Sequence, residues 1–333
     1  MKLIVNIPAY NEEKKIGETI NRIKKSFLQD FYSQEGSVIS EKLIQVIDDG
    51  STDQTVEIAK NSGADLIVSY KPNRRLAYAF KQAVENALKN EADFLVNIDA
   101  DGQFNPEDIC KLLLPLLKGN TDIAIANRFG KYKAKNIPWI RKTLNKLAAR
   151  TIGFFLGYKT DDLTCGFRAH NREALLRLNL TNVHFTYTQE TIIDAIGKNL
   201  KLRWIAVPVT YFDDRDAKMT KSILKFINNS SKIILKAIRD VRPLKFFGWP
   251  GLFFVFLSIL GFINFFFHYF QTFKISPYSH FLFFATASLF LGIQLIIFAL
   301  IADMIKSNRQ LTEELTYQWK KDKYNKQGKS LKD

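Results

Sequence analysis

Along the first 127 residues, short apolar runs alternate with segments whose apolar positions recur every three or four residues. Residues 3–8, 43–47, 65–70, 94–98 and 123–126 are brief and rich in Val, Ile and Leu, which predicts buried strands. Residues 12–27 carry Ile16, Ile20, Ile23 and Phe27 at helical spacing, and 52–62, 76–89 and 106–117 predict further helices. Residues 28–42 are polar and irregular and read as a loop. Strands separated by helices of this length need crossover connections. The pattern therefore predicts an α/β fold with a mostly parallel sheet.

Beyond residue 219 the pattern changes. Over 220–245 one helical face carries Ile223, Ile227, Ile234, Ile238 and Val241, and another carries Lys221, Lys225, Lys232, Lys236 and Arg239. A basic amphipathic helix of this kind suits an anionic membrane surface, and the same stripes also fit a helix packed on the domain. Residues 246–273 contain no Asp, Glu, Lys or Arg, and neither do residues 275–302. Each run exceeds the roughly 20 residues needed to cross about 30 Å of hydrocarbon. Pro277 interrupts them, so 246–303 predicts a transmembrane hairpin with helices near 246–270 and 281–303. Lys236, Arg239, Arg242 and Lys245 precede the hairpin, and Lys306, Arg309, Lys320 and Lys321 follow it. This bias puts both termini in the cytoplasm. The opening apolar run is too short for a signal peptide and reads as a first strand, which keeps the soluble part cytoplasmic. Residues 304–333 read as a cytosolic tail, polar and disordered from Lys320 onward.

Candidate chemistry gathers where the strands end. In an open α/β sheet, ligands bind beyond the carboxyl ends of the strands. Three polar clusters fall there, at residues 9–13, 48–53 and 99–103. After the strand at 94–98 come Asp99 and Asp101, one residue apart and followed by Gly102. On an extended backbone such residues point the same way and can converge. Two hard oxygen ligands suit Mg²⁺ or Mn²⁺ held jointly with substrate phosphates, and Gln103 can add a third oxygen. Asp48 and Asp49 are adjacent carboxylates that can accept hydrogen bonds from a nucleobase or ribose. The plainer reading of both clusters is a turn followed by a helix cap.

Pro8-Ala9-Tyr10-Asn11-Glu12-Glu13, Asp48-Asp49-Gly50-Ser51-Thr52-Asp53 and Asp99-Ala100-Asp101-Gly102-Gln103 together resemble, in order and in strand-end position, the three signatures of family 2 glycosyltransferases with the GT-A fold. That resemblance implies a nucleotide-sugar donor bound by Pro8, Tyr10, Asn11, Glu12, Asp48, Asp49, Asp99 and Ala100. It also implies a divalent metal held by Asp99, Asp101 and Gln103. Where the family is usually glycine-rich, Asn73-Arg74-Arg75-Leu76-Ala77 carries Arg and Ala. Residues 128–221 resemble the acceptor half of the polyprenyl-phosphate hexose synthases. The similarity is carried by Asn127-Arg128-Phe129, Arg141, Asp162 to Arg168, Val207-Pro208-Val209 and the segment from Arg215 to Lys221. The Gln-x-x-Arg-Trp signature of processive synthases is absent.

By that resemblance the chain is a metal-dependent hexosyltransferase that transfers one sugar, with inversion, from a GDP- or UDP-sugar to a polyprenyl or dolichyl phosphate. Extension of a lipid-linked oligosaccharide or a glycerolipid is the alternative. Guanidinium forks match phosphate oxygens bidentately, so Arg128, Arg141 and Arg215, with Lys221, are the candidate phosphate contacts. Arg128, Arg141 and Arg215 count with Asp101 among the catalytic candidates. Glu190 stands where related enzymes place a base, and it also reads as an ordinary first-turn carboxylate. The expected division is a GT-A domain over 1–219 (donor half 1–127, acceptor half 128–219), the interfacial helix, the hairpin and the tail.

The net charge of +15 would suit nucleic acid, anionic lipid or phosphorylated substrates. The basic residues crowd around the apolar segments, and no nucleic-acid motif occurs, so a lipid bilayer is the expected partner and nucleic acid is not. Two cysteines in unrelated contexts support neither a disulfide framework nor a zinc cluster. The sequence leaves the oligomeric state open, a homo-oligomer included.

Overall fold

A computed structural model describes residues 1–28, 39–131, 139–179, 187–210, 235 and 239–324. Among the described residues seven strands form one sheet in the order β3-β2-β1-β4-β6-β5-β7. They are β1 (Lys2–Ala9), β2 (Glu41–Asp48), β3 (Leu66–Ser69), β4 (Phe94–Asn97), β5 (Ile123–Asn127), β6 (Arg168–Asn171) and β7 (Leu202–Ala206). The helices are α1 (Ile16–Ser26), α2 (Thr55–Asn61), α3 (Arg75–Lys89), α4 (Ile109–Leu117), α5 (Trp139–Leu156), α6 (Arg172–Arg177), α7 (Tyr187–Gly197), α8 (Pro243–Thr272) and α9 (Ser279–Lys323).

Residues Leu3, Ile4, Val5 and Ile7 of β1 are fully buried, as a central parallel strand covered on both faces requires. Its parallel partners are β2 and β4, with Ala9 beside Asp48 and Asn6 beside Asn97. This register brings the carboxyl ends of the three strands to one rim. The helices expected between the first five strands form, and the one near 106–117 begins with a 3-10 turn, Pro106–Asp108, before α4.

Strand β6 has no counterpart among the expected strands. It inserts between β4 and β5 and runs antiparallel to both. Its sequence, Arg168-Ala169-His170-Asn171, looks like a polar loop, yet Arg168 and His170 are buried in the sheet. The Arg168 guanidinium is accommodated by backbone carbonyls: Nε donates to Cys165 at 2.8 Å and Nη2 to Leu163 at 3.3 Å.

The chain divides into two compact units, residues 1–233 with 315–333, and residues 234–314. In the second unit α8 and α9 are both long and apolar enough to cross a membrane. They approach each other at small residues: a Cβ at Gly251 would lie 2.9 Å from Ile296 Cγ1, and one at Gly261 would lie 2.9 Å from Ala285 Cβ. Small side chains at the crossing, with Phe253, Phe267 and Phe283 facing outward, suit helices packed in lipid. Most of the basic stripe expected over 220–245 lies outside the described residues.

The end of α9 corrects the expectation of disorder from Lys320. Helix continues to Lys323, and Tyr317 is buried in the cluster built from α3, Leu175 and Tyr187 in the first unit. The Tyr317 hydroxyl donates to Glu173 at 3.1 Å, and the Arg177 guanidinium lies 4.1 Å from its ring centroid. Lys320 donates to the Leu178 carbonyl and to Asn179 Oδ1, each at 2.8 Å. A polar tail can order in this way because two tyrosines, Tyr317 and Tyr324, supply apolar area to the docking.

Candidate active site

The segment after β1 and the segment after β2 are laced together. The Asn11 N–H donates to Ser51 Oγ at 2.9 Å, and Asn11 Oδ1 accepts from the Thr52 N–H at 2.9 Å. The Glu12 N–H donates to Thr55 Oγ1 at 2.9 Å, and Glu13 Oε2 accepts from the Gln54 N–H at 3.3 Å. Asn11 is left-handed at φ 53°, a conformation Asn tolerates better than most residues. Its side chain therefore holds the loop, while neighbouring Tyr10 stays exposed.

Asp48 and Asp49 take different roles. Asp48 is buried and both oxygens are used internally: Oδ1 accepts from the Ser51 N–H at 3.0 Å and Oδ2 from the Ser69 hydroxyl at 2.5 Å. Asp49 Oδ1 accepts from the Arg74 N–H at 2.7 Å. Burial, then the charge of Asp49, pushes the Tyr70 hydroxyl well above its ordinary pKa, so Tyr70 stands protonated beside that carboxylate. The Arg74 guanidinium lies 4.8 Å from the Tyr78 ring centroid. Asp49, Tyr70 and Arg74 thus form one wall at the ends of β2 and β3, with Asp48 fixing the turn beneath it.

Asp99, Asp101 and Gln103 follow β4, all partly exposed. Helix α1 holds this loop from one side: Lys15 Nζ donates to the Asp101 carbonyl at 3.3 Å, and Thr19 Oγ1 to the Ala100 carbonyl at 3.0 Å. Asp101 Oδ1 accepts from the Gln103 N–H at 3.0 Å, closing a turn at Gly102, where φ is 73°. From the other side Gly166 packs on Asp99: a Cβ there would lie 3.1 Å from Oδ2 and 3.3 Å from Oδ1. Among the described residues no group of three or more His, Cys, Asp or Glu forms a cage for a metal. Two carboxylates at an open rim fit a hard cation whose remaining ligands are substrate phosphates and water.

On the acceptor side Arg128 is buried and faces Asp162. Nε donates to Oδ2 at 2.7 Å, Nη2 to Oδ1 at 2.8 Å, and Nη2 also to Thr164 Oγ1 at 2.6 Å. Burial opposes ionisation of Asp162, but the Arg128 guanidinium outweighs it and holds the carboxyl below the usual range. The fork expected to meet an acceptor phosphate is engaged inside the fold. Burial pushes the Cys165 thiol up to about 12, which keeps it protonated and unsuited to nucleophilic work. Glu190 sits in the first turn of α7, half-buried. Arg215 and Lys221 lie outside the described residues, as does the side chain of Arg141 in α5.

Residues 4–178 match the family model described as glycosyl transferase family 2, more than half of the chain. The chain belongs to glycosyl transferase family 2. Two relatives of this glycosyltransferase carry informative names. It is 27% identical to the UDP-N-acetylglucosamine–dolichyl-phosphate N-acetylglucosaminyltransferase of Methanococcus voltae, over 66% of this chain and 90% of the relative. It is 28% identical to the polyprenol monophosphomannose synthase of Mycolicibacterium smegmatis, over 66% of this chain and 80% of that one. Such relatives agree with the polyprenyl-phosphate branch that the motifs resemble. The glycosyltransferase also shares its fold with glucosyl-3-phosphoglycerate synthase from Mycobacterium tuberculosis, crystallised with Mn²⁺, UDP and phosphoglyceric acid. The TM-score is 0.52 at 20% identity, covering 71% of this chain and 78% of that one.

Several residues that shape the site carried no signal in the motifs. Ser69 ends β3, and Lys15 and Thr19 lie at the cap and in the first turn of α1. Asp162 and Gly166 fall inside a motif of the acceptor half, but nothing in that motif pairs Asp162 with Arg128 or Gly166 with Asp99. The position of Ser69 at the end of an expected strand was the available clue. The partner of Arg128 was not readable, because 34 residues separate it from Asp162.

Proposed function

We propose that this glycosyltransferase moves a single hexose from a nucleotide-sugar to a polyprenyl or dolichyl phosphate at the cytoplasmic membrane face, with inversion at the anomeric carbon. The observation that carries the reading is one rim holding both the Asp49–Tyr70–Arg74 wall and the Asp99–Asp101 pair, in a chain with two membrane-length apolar helices. The names of the relatives support a lipid-phosphate acceptor.

In this reading Asp49 accepts a donor hydrogen from the base or ribose, and Asp99, Asp101 and Gln103 hold Mg²⁺ or Mn²⁺. The cation, when bound, offsets charge that grows on the departing diphosphate. The acceptor phosphate has a second pKa of about 6 and is mostly a dianion at neutral pH, so it needs positioning more than deprotonation. Arg141, Arg215 and Lys221 supply that positive charge. Arg128 serves at one remove, by fixing Asp162 and the segment that ends on Asp99. Glu190, in the first turn of α7, is the candidate base.

A panel of UDP- and GDP-sugars, offered in detergent with polyprenyl phosphate alone and Mn²⁺, tests the proposal. A product whose mass equals one hexosyl group on polyprenyl phosphate supports it. Turnover that requires a longer glycan or a glycerolipid acceptor overturns it.

A further inference from the structure

Four strands carry a polar residue where their neighbours are apolar: Gln45 in β2, Asn6 in β1, Asn97 in β4 and Arg168 in β6. They are direct cross-strand partners, Gln45 beside Asn6, Asn6 beside Asn97, and Asn97 beside Arg168. All four are at most 1% exposed. A row of polar side chains across the middle of a sheet is costly unless every group is paired.

The amides in this row pair in one direction. Asn90 Nδ2 donates to Asn86 Oδ1 at 3.3 Å, and Asn86 Nδ2 to Gln45 Oε1 at 2.7 Å. Gln45 Nε2 donates to Asn6 Oδ1 at 2.9 Å, and Asn6 Nδ2 to Asn97 Oδ1 at 2.7 Å. Asn97 Nδ2 then donates to the Gly166 carbonyl at 3.1 Å. The last acceptor fixes every orientation. A carbonyl can only accept, so Asn97 must turn its NH₂ to Gly166 and its oxygen to Asn6, and the constraint passes back along the row. A second carbonyl, Ala83, agrees, accepting from Gln45 Nε2 at 3.2 Å. Amide dipoles aligned head to tail in a buried setting reinforce one another.

The ladder ends where the metal-side carboxylate begins. Gly166 is the residue where an added Cβ would meet both oxygens of Asp99. The carbonyls at 163 and 165 are held by Arg168 from the same row. Side chains of the row therefore grip the backbone at residues 163, 165 and 166 and set how closely it approaches Asp99. The ladder begins on α3, whose other end carries the Arg74 N–H that holds Asp49.

We propose that the amide ladder from Asn86 through Gln45, Asn6 and Asn97 to the Gly166 carbonyl is a positioning device that presses Gly166 onto Asp99 and so sets the geometry of a divalent-cation site. Asn6 and Asn97 are positioning residues; neither touches the cation. The inference rests on Asp99 holding the cation, as proposed above. The ladder gives Asp99 a packed wall on its Gly166 side, which narrows the rotamers open to its carboxylate. Loss of the Asn97–Gly166 bond releases the Gly166 carbonyl, while Arg168 still holds residues 163 and 165, and relaxes that constraint.

Mn²⁺ binding, followed by electron paramagnetic resonance on the full chain in detergent with and without UDP, tests this independently of turnover. Asn97→Leu keeps the number and branching of side-chain heavy atoms and removes both ladder bonds; Gly166→Ala leaves the ladder intact and puts a methyl 3.1 Å from Asp99 Oδ2. Groups that orient a ligand from behind typically cost about 10–100-fold in metal affinity when removed, and each variant is expected to lose about tenfold. Gly166→Ala is expected to do so with little change in melting temperature. Wild-type Mn²⁺ affinity in folded Asn97→Leu overturns the proposal, as does wild-type affinity in Gly166→Ala; the latter decides the matter if Asn97→Leu does not fold. A wild-type protein that binds no Mn²⁺ even with UDP removes the metal reading itself. Normal wild-type binding with unchanged variants removes only the ladder's role.

Discussion

Arg128 holds Asp162 by two parallel hydrogen bonds, 2.7 Å and 2.8 Å long, in a pair that is almost wholly buried. Removing one partner of such a pair strands the other charge in the interior, which costs about 3–5 kcal/mol. Arg128→Met and Asp162→Asn are each expected to lower unfolding free energy by about that amount, measured by denaturant titration. The pH dependence follows from the direction of the Asp162 shift. Its folded pKa lies below the unfolded value, so the stabilisation is fully present above about pH 4 and is lost as pH falls through the folded pKa. The gap between wild type and Asp162→Asn should be constant from pH 5 to 7 and should narrow in stronger acid. A gap that widens in acid would contradict the assignment.

Much of the donor half was legible because a parallel strand buried on both faces leaves an uninterrupted apolar run, as Leu3, Ile4 and Val5 do. The polar clusters at residues 48–53 and 99–103 were legible for the complementary reason, since they stop those runs abruptly. What escaped were polar residues whose partners are distant in sequence. Arg168 and His170 made β6 look like a loop, and only the carbonyls at 163 and 165 explain how an arginine is tolerated there. Asn6, Gln45 and Asn97 interrupt three apolar strands at matching depth, a signal visible only once the register is known. The docking of Tyr317 joins residues 144 positions apart, which no local pattern encodes.

Asp101 turns a partly exposed carboxylate toward the rim, with Oδ1 engaged by the Gln103 N–H. Asp101→Asn keeps the size and an acceptor oxygen but removes the charge. The fold should survive, with a melting temperature near that of wild type. Stabilisation of a leaving group by a metal is worth several kcal/mol, and each ~1.4 kcal/mol is a factor of ten in rate, so turnover should fall by about a hundredfold or more. Single-turnover transfer from a labelled nucleotide-sugar measures this. Activity near wild type would rule out a metal role for Asp101.

Gly50 sits at φ 79° between Asp48–Asp49 and Ser51, and a Cβ there would lie 3.0 Å from the Tyr70 carbonyl and 3.2 Å from the Asn73 nitrogen. Both neighbours are backbone, so neither can swing aside as a side chain would. The left-handed conformation alone costs a non-glycine residue about 1–2 kcal/mol. Gly50→Ala should therefore push residues 70–74 away from Asp49 and weaken UDP binding about tenfold, at ~1.4 kcal/mol per decade. Isothermal titration with UDP, alongside a melting curve, separates this local effect from general unfolding.

Lys320 is held against the Leu178 carbonyl and Asn179 near the end of α9, and burial, followed by the charge of Lys198, lowers its pKa to about 8. For a lysine this shift works against folding at neutral pH. Between about pH 8 and 10 the unfolded chain still binds the proton that the folded chain has released, so stability rises with pH across that window. Lys320→Met removes the titrating group and keeps an unbranched apolar stem. The variant should gain on wild type at pH 7, and the advantage should shrink as pH rises through 8 toward 10. Denaturant melts of both proteins at pH 7, 8, 9 and 10 provide the measurement, and taking the difference cancels the other groups that titrate there. A difference that does not change with pH would mean that Lys320 stays charged in the folded protein and that the docked end of α9 is wetter than its contacts indicate.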